Sequence, residues 1–416
     1  MNTILEKEKK TPIAGEYDVI VAGGGVAGIA AALASARHGV KTLLLERMFL
    51  LGGLATAGLV TVYLPLCDGE GHQVSFGLAE ELLRLSIRYG YEAGGTTQPE
   101  RDGGAWLLRN DLEERKKTRF EVQFNANLFA ILAEQLLTET GVTIVYGTSV
   151  VGVETEDNRI HALITESKSG RQAFLAKTFI DASGDADLAF LAGEKTVEFG
   201  QGNVLASWFY EFQAPYYQLY MLGGADRPDK YKKPDDPSRQ RKRYRGLEAD
   251  EITQFVLDSH ANLKNRFLNN GEISKDHALA TIATIPQLRM TRRIDGQYTL
   301  DDTEDKAFFE DSIGMICDWR KRGPVYEVPY RTLVCKTIKN LITCGRIISV
   351  TDAMWDISRV IPPCVVTGEA AGTAAALISA SSHEIDEGPD FHSLSVERLQ
   401  SELKENGVKL HCFEVL

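Results

Sequence analysis

An α/β fold is what this sequence predicts: a Rossmann-like lobe interrupted by a second, α+β lobe. Three stretches carry the prediction. Residues 17–46 read as strand, glycine turn, helix and strand, because the β-branched run YDVIVAG ends at glycine and an alanine-rich stretch of helical length follows. Asn127 to Thr140 reads as another helix and Val142 to Tyr146 as a strand, after which Val150 to Glu154, Arg159 to Thr165 and Gln172 to Ile180 alternate as an antiparallel meander does. Farther on, VLASWFYEFQA reads as a strand and EADEITQFVLDSHANLKNRFL as an amphipathic helix, which places a separate lobe there.

Composition bounds the chemistry. A chain of 416 residues, 44% hydrophobic and 25% charged, is long enough for a large core in two or three lobes. Forty-six basic against 58 acidic side chains leave a net charge of −12, which argues against a duplex-binding surface, so no nucleic-acid partner is expected. The six cysteines include no C-x-x-C pair, so neither a metal site nor a disulfide framework is expected, and reduced thiols suit a cytoplasmic location. The start, MNTILEKEKKTPIAGE, lacks the apolar core of a signal peptide, and no membrane span is expected. Residues 1–15 read as a flexible tail.

The opening unit has a physical reading. Gly23, Gly25 and Gly28 occupy the three glycine positions of G-x-G-x-x-G, the first for a tight turn, the second for contact with a pyrophosphate and the third for close helix-to-sheet packing. The helix N-terminus would then face two phosphates with unsatisfied N–H groups and its positive dipole end. Glu46 closes the second strand, where an acid can accept hydrogen bonds from ribose hydroxyls. A dinucleotide is the expected ligand, against the plainer alternative of a glycine turn that only packs a helix on a sheet.

Directly after Glu46 comes RMFLLGGLATAG, and its LGG-x-A-T segment resembles the loop that follows the Rossmann unit in FAD-dependent oxidoreductases of the glutathione-reductase fold. AKTFIDASGDADLAFLAG, from Ala176 to Gly193, resembles the strand and turn that return to the adenosine end in that fold. NLITCGRIISVTDAMWDISRVIPPCVVTGEAAGTAAAL, from Asn340 to Leu377, looks like its second FAD contact. Within the family, R-x-x-R-R-I-x-G falls on Arg289, Arg292, Arg293, Ile294 and Gly296, and VYEVPYR departs from Y-x-I-P-Y-R only by Val328. The likeness runs from Tyr17 to about Ala380 and implies FAD as cofactor. The cofactor-binding residues it implies are Gly23, Gly25, Val26, Ala27, Gly28, Glu46, Arg47, Gly52, Gly53 and Thr56, then Val150, Ala182, Ser183 and Gly184, then Gly345, Arg346, Gly368, Ala371 and Gly372.

The resulting organisation is an FAD-binding lobe of the glutathione-reductase type assembled from 16–66, 122–193 and 341–380, a cap region at 67–121, an inserted substrate lobe at 194–340 and a C-terminal helix and strand at 381–416. No second G-x-G-x-x-G follows Asp181, so no dedicated NAD(P)H domain is expected. RPDKYKKPDDPSRQRKRYRG, 227–246, is nearly free of aliphatics and reads as a mobile basic segment: a solvated loop, a lid or a partner contact.

The three FAD-contact segments and the missing nicotinamide domain point to an oxidoreductase that moves a hydride between flavin and a small organic substrate, anionic if the arginines hold it. The resemblance itself gives no substrate. A flavin-binding scaffold or electron-transfer subunit that recognises a partner macromolecule is the alternative. Homo-oligomerisation stays open. Arg289, Arg292, Arg293 and Arg331 could bind an oxyanion with the guanidinium fork, and equally could hold FAD phosphates or join the lobes. His72 is a candidate acid or base, or a plain loop histidine. Tyr63, Tyr326 and Tyr330 are proton relays or packing residues. Cys364 is a thiol with its pKa lowered at a helix start, or a buried filler.

Overall fold

The computed structural model describes residues 3–5, 8–88, 111–117, 122–224, 227–270, 273–381 and 388–416. Five parallel strands organise the main lobe, in the spatial order Thr143–Val145, Thr42–Leu45, Ile13–Ala22, Gly170–Asp181 and Leu341–Thr343. Along its first half the long strand Gly170–Asp181 also pairs antiparallel with Arg159–Ser167, which pairs with Ser149–Glu156. This is the expected sheet and meander. Val19, Ile20, Val21, Leu43 and Leu44 have no exposed surface, which is why these strands read as continuous apolar runs.

Alternate residues feed two layers. Val19, Val21, Leu44, Ile180 and Ile342 face the helices Val26–Arg37, Ala126–Glu139 and Ile361–Ser381, while Ile20, Leu43, Leu45 and Phe179 face the meander through Ile160, Leu163 and Phe174. The Ile361–Ser381 helix is long and apolar enough to cross a membrane, but it is buried all round and is the core helix of this lobe.

In the second lobe, Tyr216–Gly223, Ala206–Gln213 and His277–Ile282 form an antiparallel sheet, and the helix Ala249–Asn270 covers it through Phe209, Leu263 and Phe267. Arg292–Ile294 pairs with Thr196–Glu198.

Several boundaries differ from expectation. The first strand starts at Ile13, inside the expected tail, because Ile13 pairs with Ala173 and the Ala173 amide donates to the Pro12 carbonyl. The helix Leu78–Ile87, expected in a cap, buries Leu78, Leu82 and Leu83 in the main core; much of the cap region lies outside the described residues. Ser312–Cys317 pairs with Val325–Pro329, and Ile313, Ile316, Val328 and Leu333 join that same core rather than the inserted lobe. After the helix Val396–Glu405 no strand forms: Leu410 instead donates its amide to Glu414 and accepts from the Ser312 hydroxyl.

The basic segment has internal order. It forms short turns at Asp229–Tyr231 and Pro237–Gln240 and a strand Arg243–Tyr244 against Asn203–Val204, while Arg239 donates to the carbonyls of Asp229, Lys232 and Lys233.

Candidate functional site

The first strand ends in a backbone cradle. Gly23 has φ 108°, and a Cβ there would lie 2.5 Å from the Ala182 carbonyl oxygen; a Cβ on Gly28 would lie 1.9 Å from the Gly23 oxygen. Both glycines are demanded by neighbouring backbone. Gly25 differs: its φ is −66°, no side chain caps the helix it opens, no acid sits in the first turn, and a Cβ there would meet nothing within 4 Å. Open space in front of an uncapped helix start leaves backbone N–H groups and the positive dipole end free to meet an anion.

A second turn clasps the first. Gly52 and Gly53 are left-handed (φ 100° and 56°), the Gly52 amide donates to the Gly24 carbonyl at 2.8 Å, and a Cβ on Gly53 would lie 3.2 Å from the Gly25 Cα. Thr56 donates its hydroxyl to the Leu51 carbonyl and so closes this turn from within. Glu46 is buried; one carboxylate oxygen accepts from the Gly24 amide at 2.7 Å and the other from the Met48 amide at 2.6 Å. Each oxygen keeps a second lone pair for a hydroxyl donor. Arg47 is exposed beside it, and the Thr148 amide donates to the Glu46 carbonyl, which brings the half-buried Val150 near the strand end.

The remaining elements converge from far along the chain. Gly184 has φ 84°, its carbonyl accepts from Arg346 Nε, and Arg346 Nη2 reaches Asp185 at 2.8 Å. Gly345 has φ 78°, donates its amide to Thr367 Oγ1 at 2.9 Å, and a Cβ there would lie 2.9 Å from the Ala27 Cβ. Val26 and Ala27 open the first helix and face this turn. Ser183 Oγ accepts from the Asp185 and Asp187 amides, and the buried Asp181 accepts from the Ser183 and Ala189 amides, so the Ala182-Ser183-Gly184 turn is braced from below. Burial raises the Asp181 carboxyl; burial and then the Asp185 charge push Asp187 up to about 6, against the pull of Arg292.

Three expected cofactor residues serve another purpose. A Cβ on Gly368 would lie 2.3 Å from the Ala27 carbonyl oxygen and one on Gly372 2.2 Å from that of Ala31, and Ala371 is fully buried between them. These small residues let the Ile361–Ser381 helix touch the first helix backbone to backbone, with Ser35 Oγ donating to the Gly372 carbonyl. They position the cradle and do not line it.

The arginines separate. Arg292 is committed to Asp187 (2.8 Å) and the Asp185 carbonyl, and stacks on Phe190. Arg331 holds Asp311 with two nitrogens at 2.8 and 3.1 Å. In this structure both are engaged in ion pairs, one of the roles the sequence left open for them beside substrate binding. Arg289 is buried, with Gly224 O and Met221 Sδ each 3.5 Å away, and its amide is held by Asn203. Arg293 is buried beside Trp355.

His72 Nδ1 donates to Asp68 at 2.8 Å within a tight turn in which Asp68 also accepts the Glu70 and His72 amides. These bonds tie His72 to its own turn and not to the cradle. Tyr63, Tyr326 and Tyr330 donate to the carbonyls of Ala79, Asp302 and Phe391, and burial raises all three phenols, which makes them packing residues. Burial pushes the Cys364 thiol up to about 12, with Sγ near the Arg359 carbonyl; desolvation outweighs any help from the helix end. Sequence reading missed Asp185 and Trp355, which hold Arg346 from two sides; the repeated acids of DASGDAD were the available signal. Among the described residues no group of three or more His, Cys, Asp or Glu is placed to hold a metal.

The model of a family described as FAD dependent oxidoreductase matches residues 18–205 and 208–403. A thioredoxin reductase of Ureaplasma parvum is 32% identical over 77 residues, 18% of this chain, and the chain spans only 25% of that relative's length. Among solved structures, a geranylgeranyl bacteriochlorophyll reductase-like protein from Thermoplasma acidophilum aligns with 94% of this chain and 84% of its own at 14% identity and a TM-score of 0.46. The p-nitrophenol 4-monooxygenase PnpA of Pseudomonas putida aligns over 94% and 84% at 13% identity, with a TM-score of 0.46.

Proposed function

Because the chain belongs to the FAD dependent oxidoreductase family, we propose that it moves a hydride between FAD and a small organic anion. The observation that carries the cofactor's placement is Gly25, open in front and uncapped, clasped by Gly52 and Gly53 and flanked by Glu46. These residues fit a pyrophosphate and a ribose: backbone N–H groups for the phosphates and spare carboxylate lone pairs for the hydroxyls. Ala182 to Gly184 and the Gly345 turn would hold the rest of the molecule. When bound, FAD supplies two-electron redox chemistry.

The protein's own part is to place a substrate and keep water out. The Thr284 amide donates to the Ala57 carbonyl just past the glycine clasp, and the Thr291 hydroxyl donates to Asp185 at the opposite wall. Residues 284–291 thereby run from one side of the cradle to the other, and Arg289 and Arg293 on or beside this run supply positive charge for an anion. With Arg292 and Arg331 engaged in ion pairs, Arg293 is the guanidinium beside this run assigned to it. Six cysteines outside any disulfide, five of them buried, suit a reducing compartment, and we assign the protein to the cytoplasm.

The scaffold reading has less support. Lys230 pairs with Asp302, Lys242 with Asp258, and Lys232, Arg239 and Arg243 with Asp229, so much of the basic segment's charge is answered within the chain. The test is to load the protein with FAD and screen small carboxylates and their neutral esters anaerobically for bleaching of the flavin absorbance. Bleaching by acids and not by esters is the expected result; a flavin that binds but is bleached by neither would overturn the proposal.

A further inference from the structure

We propose that the Arg293 guanidinium is an oxyanion receptor, taking the carboxylate of the substrate or the pyrophosphate of FAD. This rests on the reading of the chain as an FAD enzyme with its site at the glycine cradle. Five other arginines of the chain are tightly paired. Arg292, Arg320, Arg331, Arg346 and Arg359 each have a carboxylate oxygen within 2.9 Å. Arg293 has Asp352, at 4.0 Å, and no other carboxylate within that range among the described residues.

The side chain is nonetheless buried, with 9% of its surface exposed. Nη1 donates to the Ile294 carbonyl at 3.3 Å, and the buried Nε has no partner. Nε and Nη2 share the edge of the guanidinium that matches two oxygens of one oxyanion. Arg331 shows what that edge does when satisfied in this same molecule: its Nε and Nη2 grip the two oxygens of Asp311 at 2.8 and 3.1 Å. On Arg293 the equivalent edge holds nothing so close. A permanently charged group kept out of water without a tight counter-charge is costly, and a bound oxyanion removes that cost.

The strand that carries Arg293 lies beside the cradle. The strand Arg292–Ile294 lies against the Gly345–Ile347 turn, whose Gly345 abuts Ala27 at the start of the first helix. Trp355 lies under the guanidinium, 5.4 Å from its carbon, and donates its indole N–H to the Arg346 carbonyl. The aromatic ring stabilises the cation from one face while leaving its edge for an in-plane acceptor.

The experiment uses the full chain as wild type, Arg293→Met, Arg293→Lys and Asp352→Asn. FAD and ADP affinities are measured by fluorescence, and benzoate and malonate are titrated into FAD-loaded protein while the flavin visible spectrum is followed. If the oxyanion is the substrate's, Arg293→Met keeps FAD affinity within about twofold and weakens the carboxylates about tenfold or more, with Arg293→Lys between. If it is the cofactor's, Arg293→Met weakens both FAD and ADP about tenfold or more. A folded Arg293→Met protein that changes neither affinity overturns the proposal. Should that variant not fold, Asp352→Asn decides: removing the competing carboxylate tightens one of the two ligands about threefold or more, and unchanged binding of both overturns the proposal. These titrations read binding alone, so a protein that binds carboxylates through Arg293 and transfers no hydride would refute the proposed reaction and leave this inference standing.

Discussion

The glycine cradle and the arginine-bearing run meet at one site but are built on opposite principles. Around Gly23, Gly25 and Gly28 the working groups are backbone amides, and the side chains are deleted so that backbone can meet backbone or ligand. From Arg289 to Arg293 the working groups are side chains, and what each can do depends on which carboxylate the fold brings to it. Arg292 and Arg293 are neighbours in sequence, yet one is neutralised by Asp187 and the other is left with a distant Asp352. A motif made of glycines states its purpose; a motif made of charges states only its options.

The sharpest way to test how far backbone packing rules the first region is through a buried acid on the helix behind it. Glu369 lies on the core helix, accepts from the Leu78 amide, and is pushed by burial up to about 8. The folded carboxyl therefore keeps a proton that the unfolded one, at 4.5, has lost. Stability from this group is complete below pH 4.5 and falls as pH rises through 8, by an amount on the order of 4 kcal/mol. Urea unfolding between pH 5 and 9 measures that slope, and in Glu369→Gln the slope should flatten; an equally steep slope would show that other groups carry it.

Gly372→Val comes next, since its Cβ alone would sit 2.2 Å from the Ala31 carbonyl oxygen. A loss of about 3 kcal/mol in urea unfolding is expected. Gly25→Ala breaks the comparison in the other direction: the backbone accepts alanine and nothing lies within 4 Å, so thermal stability stays within about 0.5 kcal/mol. FAD affinity should nevertheless drop about tenfold or more, because the methyl enters the ligand's space. Equal affinities for alanine and glycine there would remove the cofactor from the cradle.

Among the charges, Arg292→Met removes a nearly buried guanidinium that pairs with Asp187, donates to the Asp185 carbonyl and stacks on Phe190, and should cost about 1–2 kcal/mol. The half-exposed Arg331→Met should cost less than about 1 kcal/mol, since solvent already screens its pair with Asp311. Reversal of that order in chemical denaturation would mean that the ion pair, and not the further contacts of Arg292, ranks these two arginines.

Much of the fold was readable because periodicity and glycine spacing are local facts. The βαβ unit, the meander and the Ala126–Glu139 helix lie where alternation and alanine content place them. Readings that depended on partners fared differently. Gly368 and Gly372 were read as cofactor residues, but a small residue in a helix suits a close-packed helix as well as a ligand, and Ala27 and Ala31 claimed them. Cys364 sits near a helix start, where a dipole lowers a thiol, and burial reversed the sign. His72 was chosen for its type alone, and Asp68 holds it in a turn of its own.

By itself, then, the amino-acid order determined that a strand must end at Gly23, that a helix must begin bare at Gly25 and that an acid must close the next strand, since steric exclusion and hydrogen-bond spacing act between near neighbours. Which arginine is spent on an ion pair, which stays available, and which glycines face a helix instead of a ligand were decided only when strands and helices a hundred or more residues apart came together. Charge pairing and burial are properties of distances through space, and chain sequence does not contain those distances until the core has closed.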